Sequence, residues 1–376
     1  MESITLDALD RRLIHALQLD GRLPFSRIAA AVGVPERTVA RRYHRLRSRL
    51  ALRVVGLVDG RRTGMLDWIV RVRCAPEAVE TLAVLLARRD DTSWIAPLVG
   101  GTELTCMIRT PPPGDDGRRP FFEQLARTAG VREVRAACVL RPVAGVGGWA
   151  GRMDALGEAE QRLLLPHRPA PADPTTPSDP ADQTDPSAPT APTAPAHPPD
   201  PADPADPTEA LPVLSPADTA LLRALAQDGR ADLGRLASAS GCSESTVRRR
   251  IGQLRDSGVL AFEVEIDPAL FGYPIEALLW LDVPPAGLRA VAEALAGHRQ
   301  VAFAALTTGP SSVFVMVECR SVSGLHSYVT DELAALRGIT RIESAVTQRR
   351  TKRAGPLPAT LAEKRAGAPS GRAAAQ

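Results

Sequence analysis

The chain has 376 residues, of which 44% are hydrophobic and 24% are charged, and its formal net charge is +3. This is the composition of a soluble globular protein with two or three domains, and the charge alone does not indicate a nucleic-acid partner. The five cysteines stand singly and no apolar run reaches 18 residues, so we expect a cytoplasmic protein without a disulfide framework, membrane span, metal site or cofactor.

The strongest feature of the sequence is an internal repeat. Residues 6–59 align with residues 214–267 without a gap, at a shift of 208 positions, and 21 of the 54 aligned residues are identical. The shared residues include a D-G-R tripeptide, at 20–22 and 228–230, and an R-R pair, at 41–42 and 249–250. Identity at this level indicates a tandem duplication, so the chain should contain two homologous units.

Each repeat begins with a pattern typical of three short helices. In the first copy, apolar residues recur every three or four positions over 6–17, and Gly21 ends that helix. A second helix ends at Gly33, and a third spans about 35–49. The second copy follows the same pattern, with its turn at Gly241. Two short helices joined by a tight glycine turn predict a helix-turn-helix in each copy.

The third helix of each copy is rich in arginine. Residues 1–62 hold 13 basic and 6 acidic groups, and residues 213–262 hold 7 and 5, for net charges of +7 and +2. Arginine neutralises phosphates and bonds guanine in the major groove, so these are candidate DNA-recognition helices. The alternative is a merely solvated helical face, which the same R-R pair in both copies disfavours. The predicted DNA-binding residues are Arg37, Thr38, Arg41, Arg42, Arg45, Ser245, Thr246, Arg248, Arg249 and Arg250.

Each repeat ends with a β-α-β-β-α-β pattern. The first copy is predicted to have strands at 68–74, 92–99, 103–110 and 131–140, and helices at 76–88 and 121–128. The second copy is predicted to have strands at 277–283, 301–308, 312–318 and 339–348, and helices at 285–297 and 325–336. This order predicts an α+β fold, with a ferredoxin-like antiparallel sheet backed by two helices in each unit.

A proline-rich segment separates the two copies. Sixteen of the 34 prolines lie between positions 166 and 212, among Asp and Ala with few large apolar side chains, which predicts a disordered linker. The predicted domains are two helix-turn-helix domains at 1–61 and 213–263, two ferredoxin-like effector and assembly domains at 62–145 and 264–350, the linker at 146–212, and a disordered tail at 351–376.

Taken in order, these motifs resemble those of the Lrp/AsnC transcription regulators. The residues that carry the resemblance are Leu6-Asp7-x-x-Asp10, Asp20-Gly21-Arg22, Gly33-Val34-x-x-x-Thr38-Val39, Arg42-x-x-x-Leu46, Gly258-Val259-Leu260, Gly272-Tyr273-Pro274 and Leu336-x-Gly338-Ile339. The resemblance implies sequence-specific binding to double-stranded DNA. It also implies that the two halves of one chain pair as a pseudo-dimer, and that chains assemble further into homo-oligomers.

The resemblance further implies a small-molecule effector, such as an amino acid, near a turn between the two middle strands of each sheet. The turns here read G-G-T-E at 100–103 and G-P-S-S at 309–312, so only the first keeps an acid for an ammonium group. The alternative is that both are plain β-turns in which glycine supplies conformational freedom. The candidate effector-binding residues are Gly100, Thr102, Glu103, Gly309, Ser311 and Ser312.

Two other functions share this architecture. Siroheme decarboxylases resemble Lrp/AsnC proteins, and some are fused in tandem, but they need histidines and basic residues around a tetrapyrrole. The middle strands, 94–99 and 303–308, contain neither histidine nor arginine. The other alternative is an architectural DNA binder without sequence preference. We therefore predict a DNA-binding regulator that is not an enzyme.

Overall fold

The computed structural model describes residues 5–49, 52–112, 120–145, 149, 154–165 and 212–356. The helices are α1 (Ala8–Leu19), α2 (Phe25–Val32), α3 (Glu36–Ser48), α4 (Pro76–Ala87), α5 (Pro120–Ala126), α6 (Glu158–Leu164), α7 (Pro216–Gln227), α8 (Leu233–Ser240), α9 (Glu244–Asp256), α10 (Leu288–Gly297) and α11 (Val322–Ser327). The strands are β1 (Leu52–Val58), β2 (Leu66–Cys74), β3 (Thr92–Pro97), β4 (Glu103–Thr110), β5 (Val131–Ala144), β6 (Leu260–Ile266), β7 (Ile275–Asp282), β8 (Val301–Thr307), β9 (Val313–Cys319) and β10 (Arg341–Val346). No helix among the described residues is long and apolar enough to cross a bilayer.

The predicted helix-turn-helix domains are present in both copies: α1–α3 form the first head and α7–α9 form the second head. A capping box starts each head, because Asp7 accepts from the backbone of Asp10 and Ser215 accepts from that of Asp218. The turn before each third helix uses a left-handed glycine: Gly33, with φ +71°, in the first head, and Gly241, with φ +68°, in the second. The local sequence therefore specifies both heads in the same way.

A two-stranded ribbon, which the sequence patterns did not predict, connects the two halves of the chain. Strands β1 and β6 pair antiparallel, with Leu52 opposite Ile266 and Val58 opposite Leu260. The first head shares its apolar core with residues of β6, such as Ile266, and α7 of the second head packs on β1. Each head is therefore anchored on a strand contributed by the other half.

Each unit contains the predicted ferredoxin-like sheet, with strand order β5-β2-β4-β3 in the first unit and β10-β7-β9-β8 in the second. The two sheets are joined because β5 continues past its own sheet and pairs with β8. On the other side, residues after β10 bridge to β3, with Lys352 opposite Ile95 and Thr347 opposite Leu98. The last strand of each unit thus extends onto the second strand of the other.

The inner faces of the two sheets share one apolar core. Its buried residues come from both units: Ile69, Leu98, Val139, Leu278, Ala305, Phe314 and Met316. The opposite faces are covered by the helices of their own unit, as Leu82 of α4 and Leu295 of α10 illustrate. The two halves of one chain therefore pair as an intrachain pseudo-dimer.

The structure differs from the predicted domain boundaries at two places. Helix α6 falls inside the predicted linker, yet Trp149, Leu156 and Leu164 are buried in the core of the first head. Residues 351–356 fall inside the predicted tail, yet Thr351 and Lys352 are buried. In both cases a few apolar or hydrogen-bonded side chains hold the segment against the folded protein, although the composition of the whole predicted linker or tail is polar. The remainder of the linker and tail lies outside the described residues.

The second helix of the second ferredoxin-like domain is shorter than predicted. We expected one helix over 325–336, but α11 ends at Ser327 and continues as a π-helical turn over Tyr328–Leu333. Tyr328 is fully buried there, and His298 Nδ1 lies 3.0 Å from its hydroxyl oxygen. The π-helical turn places the large polar ring of Tyr328 in the core. The spacing of apolar residues in the sequence does not indicate this change in helix type.

Acid should weaken the docking of residues 154–165 on the first head. His15 of α1 is fully buried, its Nδ1 accepts from the backbone of Leu156 at 3.0 Å, and burial lowers the pKa of His15 to about 4 although the acids Asp154 and Glu160 oppose this shift. The unfolded chain binds this proton near its usual pKa of 6.5, so stability present above pH 7 is lost as the pH falls toward 4. At pH 5 the loss should be about 2 kcal/mol.

Denaturant titrations at pH 7 and pH 5 test this prediction on the wild type and on His15→Gln, whose amide oxygen can still accept the hydrogen bond. We expect the wild type to lose more unfolding free energy than the variant over this interval. The same pH dependence in both proteins would contradict the assignment to His15.

Candidate nucleic-acid interface and ligand cavity

The exposed arginines of the two third helices form the candidate DNA-binding surface. Arg37 and Arg41 on α3 and Arg248 and Arg249 on α9 are exposed, and none of the four forms an ion pair within the described part of the chain. They lie in the first two turns of helices of 13 residues each. These side chains are therefore available to a phosphate or a base edge.

Three other predicted DNA-binding arginines are engaged inside their own heads. Arg42 contacts Asp7 and lies 3.1 Å from Asp10, and Arg45 lies 2.6 Å from the same Asp10 carboxylate, which is fully buried. In the second head, Arg250 donates to Asp218 at 2.7 and 2.5 Å. These pairs hold the third helix on the first, so the three side chains have a structural use that their basic character did not indicate.

The ion pair that holds Asp218 also changes its titration. The hydrogen bonds from Arg250, which exceed the opposing effect of burial, hold the pKa of Asp218 below its usual value. Because Asp10 matches Asp218 and Arg42 matches Arg250 in the repeat, both heads use the same internal pair. The repeat alignment contained this signal, since both partners are identical in the two copies.

The polar residues at the start of α9 are partly engaged as well. Ser243 caps the helix, and its hydroxyl oxygen lies 2.9 Å from the hydroxyls of both Ser245 and Thr246. Thr38, the counterpart in α3, is half-buried. If Ser245 or Thr246 contacts DNA, its hydroxyl must do so while also hydrogen-bonded to Ser243, or exchange that bond for the one to DNA.

The candidate effector turns lie at the two places where the units join. Glu103 pairs with Arg71 at 2.6 Å and with Arg73 at 2.9 Å, and these arginines lower the pKa of Glu103 although burial opposes them. In the second turn, Ser312 accepts from the backbone of Val283 and donates to it, each at 2.9 Å. The structure does not bring the two turns into one site, and both polar side chains already have partners.

The glycines of these two turns differ in what they require of the residue at their position. A side chain at Gly100 would meet nothing within 4 Å, and Gly309 has φ +98°, which only glycine adopts without strain. The carbonyl of Thr102 accepts from the backbone nitrogen of Cys74, and the carbonyl of Ser311 accepts from the side-chain hydroxyl of Thr307. These contacts are those of ordinary turns, so effector binding by the six residues stays a prediction.

A cavity of about 1360 Å³ lies between the β1–β6 ribbon and the inner faces of the two sheets. Part of its wall is apolar and aromatic, formed by Ile69, Trp94, Met107, Phe303, Phe314 and Met316. Another part carries paired charges, such as Arg109 with Asp67 at 2.6 Å and Arg61 with Asp59 at 2.9 Å. Repeats and helix patterns did not reveal this cavity, because it is built only when the two units pair.

Trp94, on the cavity wall, has an unusual backbone. Its φ is +51°, at an irregularity in the β3–β4 pairing, and a bulky residue rarely adopts this conformation. The C-terminal segment holds it there: the Trp94 nitrogen donates to the Arg353 carbonyl at 3.0 Å, and Arg350 donates to the Trp94 carbonyl at 3.1 Å. The Arg350 guanidinium also lies 5.1 Å from the centre of the indole. Residues after β10 thus shape the cavity.

Comparison with known proteins identifies the family. The AsnC-type helix-turn-helix domain matches residues 6–47 and again 214–255, and the Lrp/AsnC ligand binding domain matches residues 276–357. An uncharacterized HTH-type transcriptional regulator of Pyrococcus furiosus is 33% identical over 135 residues, which cover 36% of this chain and 91% of the relative. The chain belongs to the Lrp/AsnC family of transcriptional regulators. It carries two copies of the helix-turn-helix of this family.

Other relatives carry the same kind of name. The HTH-type transcriptional regulator FL11 of Pyrococcus horikoshii is 27% identical over 146 residues, which cover 39% of this chain and 96% of FL11. The LrpA regulator of the same organism is 24% identical and is covered in full by 37% of this chain. One Lrp/AsnC regulator of this kind therefore spans roughly one unit of the duplicated chain.

A solved enzyme shares the two-unit fold. The crystal structure of the siroheme decarboxylase NirDL matches with a TM-score of 0.56 at 12% sequence identity, over 96% of this chain and 97% of that chain. Its co-complex with an iron-uroporphyrin III analogue matches with a TM-score of 0.52 at 14% identity, over 88% of this chain and 87% of that one. At such identity the likeness shows the shared fold alone.

Proposed function

We propose that the chain regulates transcription by binding double-stranded DNA sequence-specifically, with α3 and α9 as its two recognition helices. The observation that carries this proposal is the separation of arginine roles in both heads. Arg41 and Arg249 project from the surface, whereas the adjacent Arg42 and Arg250 hold the helix in place. The exposed arginines can therefore contact DNA, while the paired arginines hold each third helix against the first helix of its head.

Selection of bound sequences from random double-stranded DNA by the full-length chain tests this function. We expect an enriched sequence with two related half-sites, because the two heads are homologous and paired in one chain. Strong binding with no enriched sequence would identify an architectural DNA binder instead. Absence of DNA binding at low salt would contradict both.

We further propose that a small-molecule effector, such as an amino acid or a related compound, occupies the cavity between the sheets. The cavity is large, has an aromatic wall and carries charged pairs that can fix the orientation of a polar ligand. Trp94 and Trp149 line it, so a bound ligand should change the intrinsic tryptophan fluorescence. A panel of amino acids titrated against the chain tests this, with Trp94→Phe as the control for the origin of the signal.

A tetrapyrrole is the competing ligand. NirDL shares the two-unit fold, and the cavity has a volume of about 1360 Å³. Titration of the chain with siroheme, followed by ultraviolet-visible absorption, separates the two functions. We expect no change in the absorption of siroheme beyond dilution. A saturable spectral shift at one equivalent, followed by release of carbon dioxide, would favour the enzyme.

A further inference from the structure

The two heads contact each other directly through their D-G-R turns. Arg22 donates to the carbonyl oxygen of Gly229 at 2.6 Å and to that of Ala231 at 3.1 Å. In the pseudo-symmetric position, Arg230 donates to the carbonyl oxygen of Gly21 at 2.7 Å. Each head therefore satisfies backbone acceptors of the other, and these bonds require one relative orientation of the two turns.

Aromatic rings lie near both arginines of this contact. The Arg230 guanidinium carbon lies 4.5 Å from the ring centre of Phe25 and 5.3 Å from that of Tyr43, both in the first head. The Arg22 guanidinium carbon lies 6.0 Å from the ring centre of Phe262, on the ribbon. The two rings beside Arg230 add cation–π attraction to its hydrogen bond, so this arginine is held by more than the hydrogen bond alone.

The acids of the same turns reach the opposite recognition helices. Asp228 of the second head pairs at 2.6 Å with Arg47, in the last turn of α3. Asp20 of the first head pairs at 2.9 Å with Arg255, in the last turn of α9. Because all six charged residues recur at the shift of 208 positions, the contact is a two-fold device, and each recognition helix is held at one end by the other head.

We propose that these contacts form a clamp that fixes the separation and orientation of α3 and α9, so that the chain accepts operators of a single half-site spacing. This inference rests on the proposed DNA-reading function of the heads. Rotating one head would break two ion pairs and leave partly buried guanidinium groups without their carbonyl partners. On this proposal the contacts between the folded heads determine the spacing.

The variant Asp20→Asn/Asp228→Asn tests the clamp in the full-length chain. Asparagine can still accept the hydrogen bonds that the backbone of Arg22 and Arg230 makes to the aspartates, so the turns keep their local partner. The variant also loses two negative charges, so its net charge rises by two and a loss of spacing discrimination cannot be due to weaker phosphate attraction. The matched control is Glu36→Gln/Glu244→Gln, which makes the same charge change at exposed equivalent positions outside the clamp.

Binding is measured on duplexes that carry two half-sites at a series of separations, and on a duplex with one half-site. We expect the wild type and the control to lose affinity by about tenfold or more when the optimal separation changes by a few base pairs. The clamp variant should lose less than about threefold over the same series, while its affinity for one half-site is not reduced. Equal discrimination by the clamp variant and the wild type would overturn the proposal.

A measurement without DNA separates failure of the clamp from failure of the DNA-reading function. Spin labels at positions 37 and 245, which are equivalent and exposed, are attached through a non-cysteine chemistry, because the chain keeps five cysteines. Pulsed dipolar spectroscopy should give a narrow distance distribution for the wild type and a clearly broader one for the clamp variant. Equal widths would overturn the clamp whether or not the chain binds DNA, whereas a missing half-site preference in the wild type would count only against the function.

Discussion

Replacing Arg41 and Arg249 by alanine should weaken binding to every DNA duplex by about 50-fold at 0.1 M salt. Each side chain is expected to neutralise one phosphate, and each phosphate contact contributes about 0.9 to the slope of log affinity against log salt. The slope should therefore fall by about 2. Anisotropy titrations across a salt series measure both quantities, and Arg223→Ala, which removes one exposed arginine of α7, is the control for loss of a basic side chain outside the third helices.

The neighbouring pair should behave differently although it looks the same in the sequence. Arg42→Ala/Arg250→Ala removes partners of the buried carboxylates Asp10 and Asp218, so we expect a loss of about 1–2 kcal/mol of unfolding free energy in each head. The salt slope of the folded variant should change less than that of Arg41→Ala/Arg249→Ala. If both double variants reduce the slope equally without affecting stability, the division of roles between these arginines is wrong.

The first head should contribute more to DNA affinity than the second, because its net charge over residues 1–62 is +7 against +2 over residues 213–262. Arg37→Ala/Arg41→Ala should therefore reduce affinity more than Arg248→Ala/Arg249→Ala. Both variants remove two exposed arginines, so each serves as the control for the other. Equal losses in the same anisotropy series would contradict this order.

The fragment of residues 1–165 should not fold as a monomer. Alone it would expose the inner face of its sheet, including Ile69 and Leu98, together with the unpaired edges of β1 and of the far half of β5. We expect sedimentation velocity to show aggregates or dimers of this fragment. The fragment ends at 165 because Leu156 and Leu164 belong to the core of the first head.

Cleavage of the intact chain provides the complementary test of intrachain pairing. A protease site inserted near position 190, in the proline-rich segment, leaves the described residues unchanged. The two halves should stay together on size exclusion after cleavage, because the ribbon, the joined sheets and the head contacts all remain. Separation into two folded monomers would contradict the shared core.

Local patterns in the sequence predicted the structural elements that are formed by residues close together in the chain. Helix periodicity and glycine turns located α1–α3 and α7–α9, and the β-α-β-β-α-β order gave both ferredoxin-like sheets. The β1–β6 ribbon was not predicted because its partner strands lie about 208 residues apart, and each alone is a seven-residue segment without a long apolar or periodic pattern. The cavity could not be predicted for the same reason, since its walls come from both units.

The roles of the arginines were only partly readable. Composition showed a basic third helix, but it did not separate Arg41, which is exposed, from Arg42, which is paired with Asp10. Similarly, the D-G-R tripeptide predicts a helix stop at Gly21, but α1 ends at Leu19 with an extended Asp20 as its C-cap, and Gly21 is not left-handed. Its arginine and aspartate also serve the contact between heads, which requires the second copy to be seen in three dimensions.

A single chain should present two DNA-binding heads as an intramolecular pseudo-dimer. Native mass spectrometry of the chain with a duplex that carries both selected half-sites, combined with hydroxyl-radical footprinting of the same complex, tests it most directly. We predict one chain per duplex, with both half-sites protected at that stoichiometry. Protection of only one half-site by a single chain, or a need for two chains to protect both, would contradict the claim.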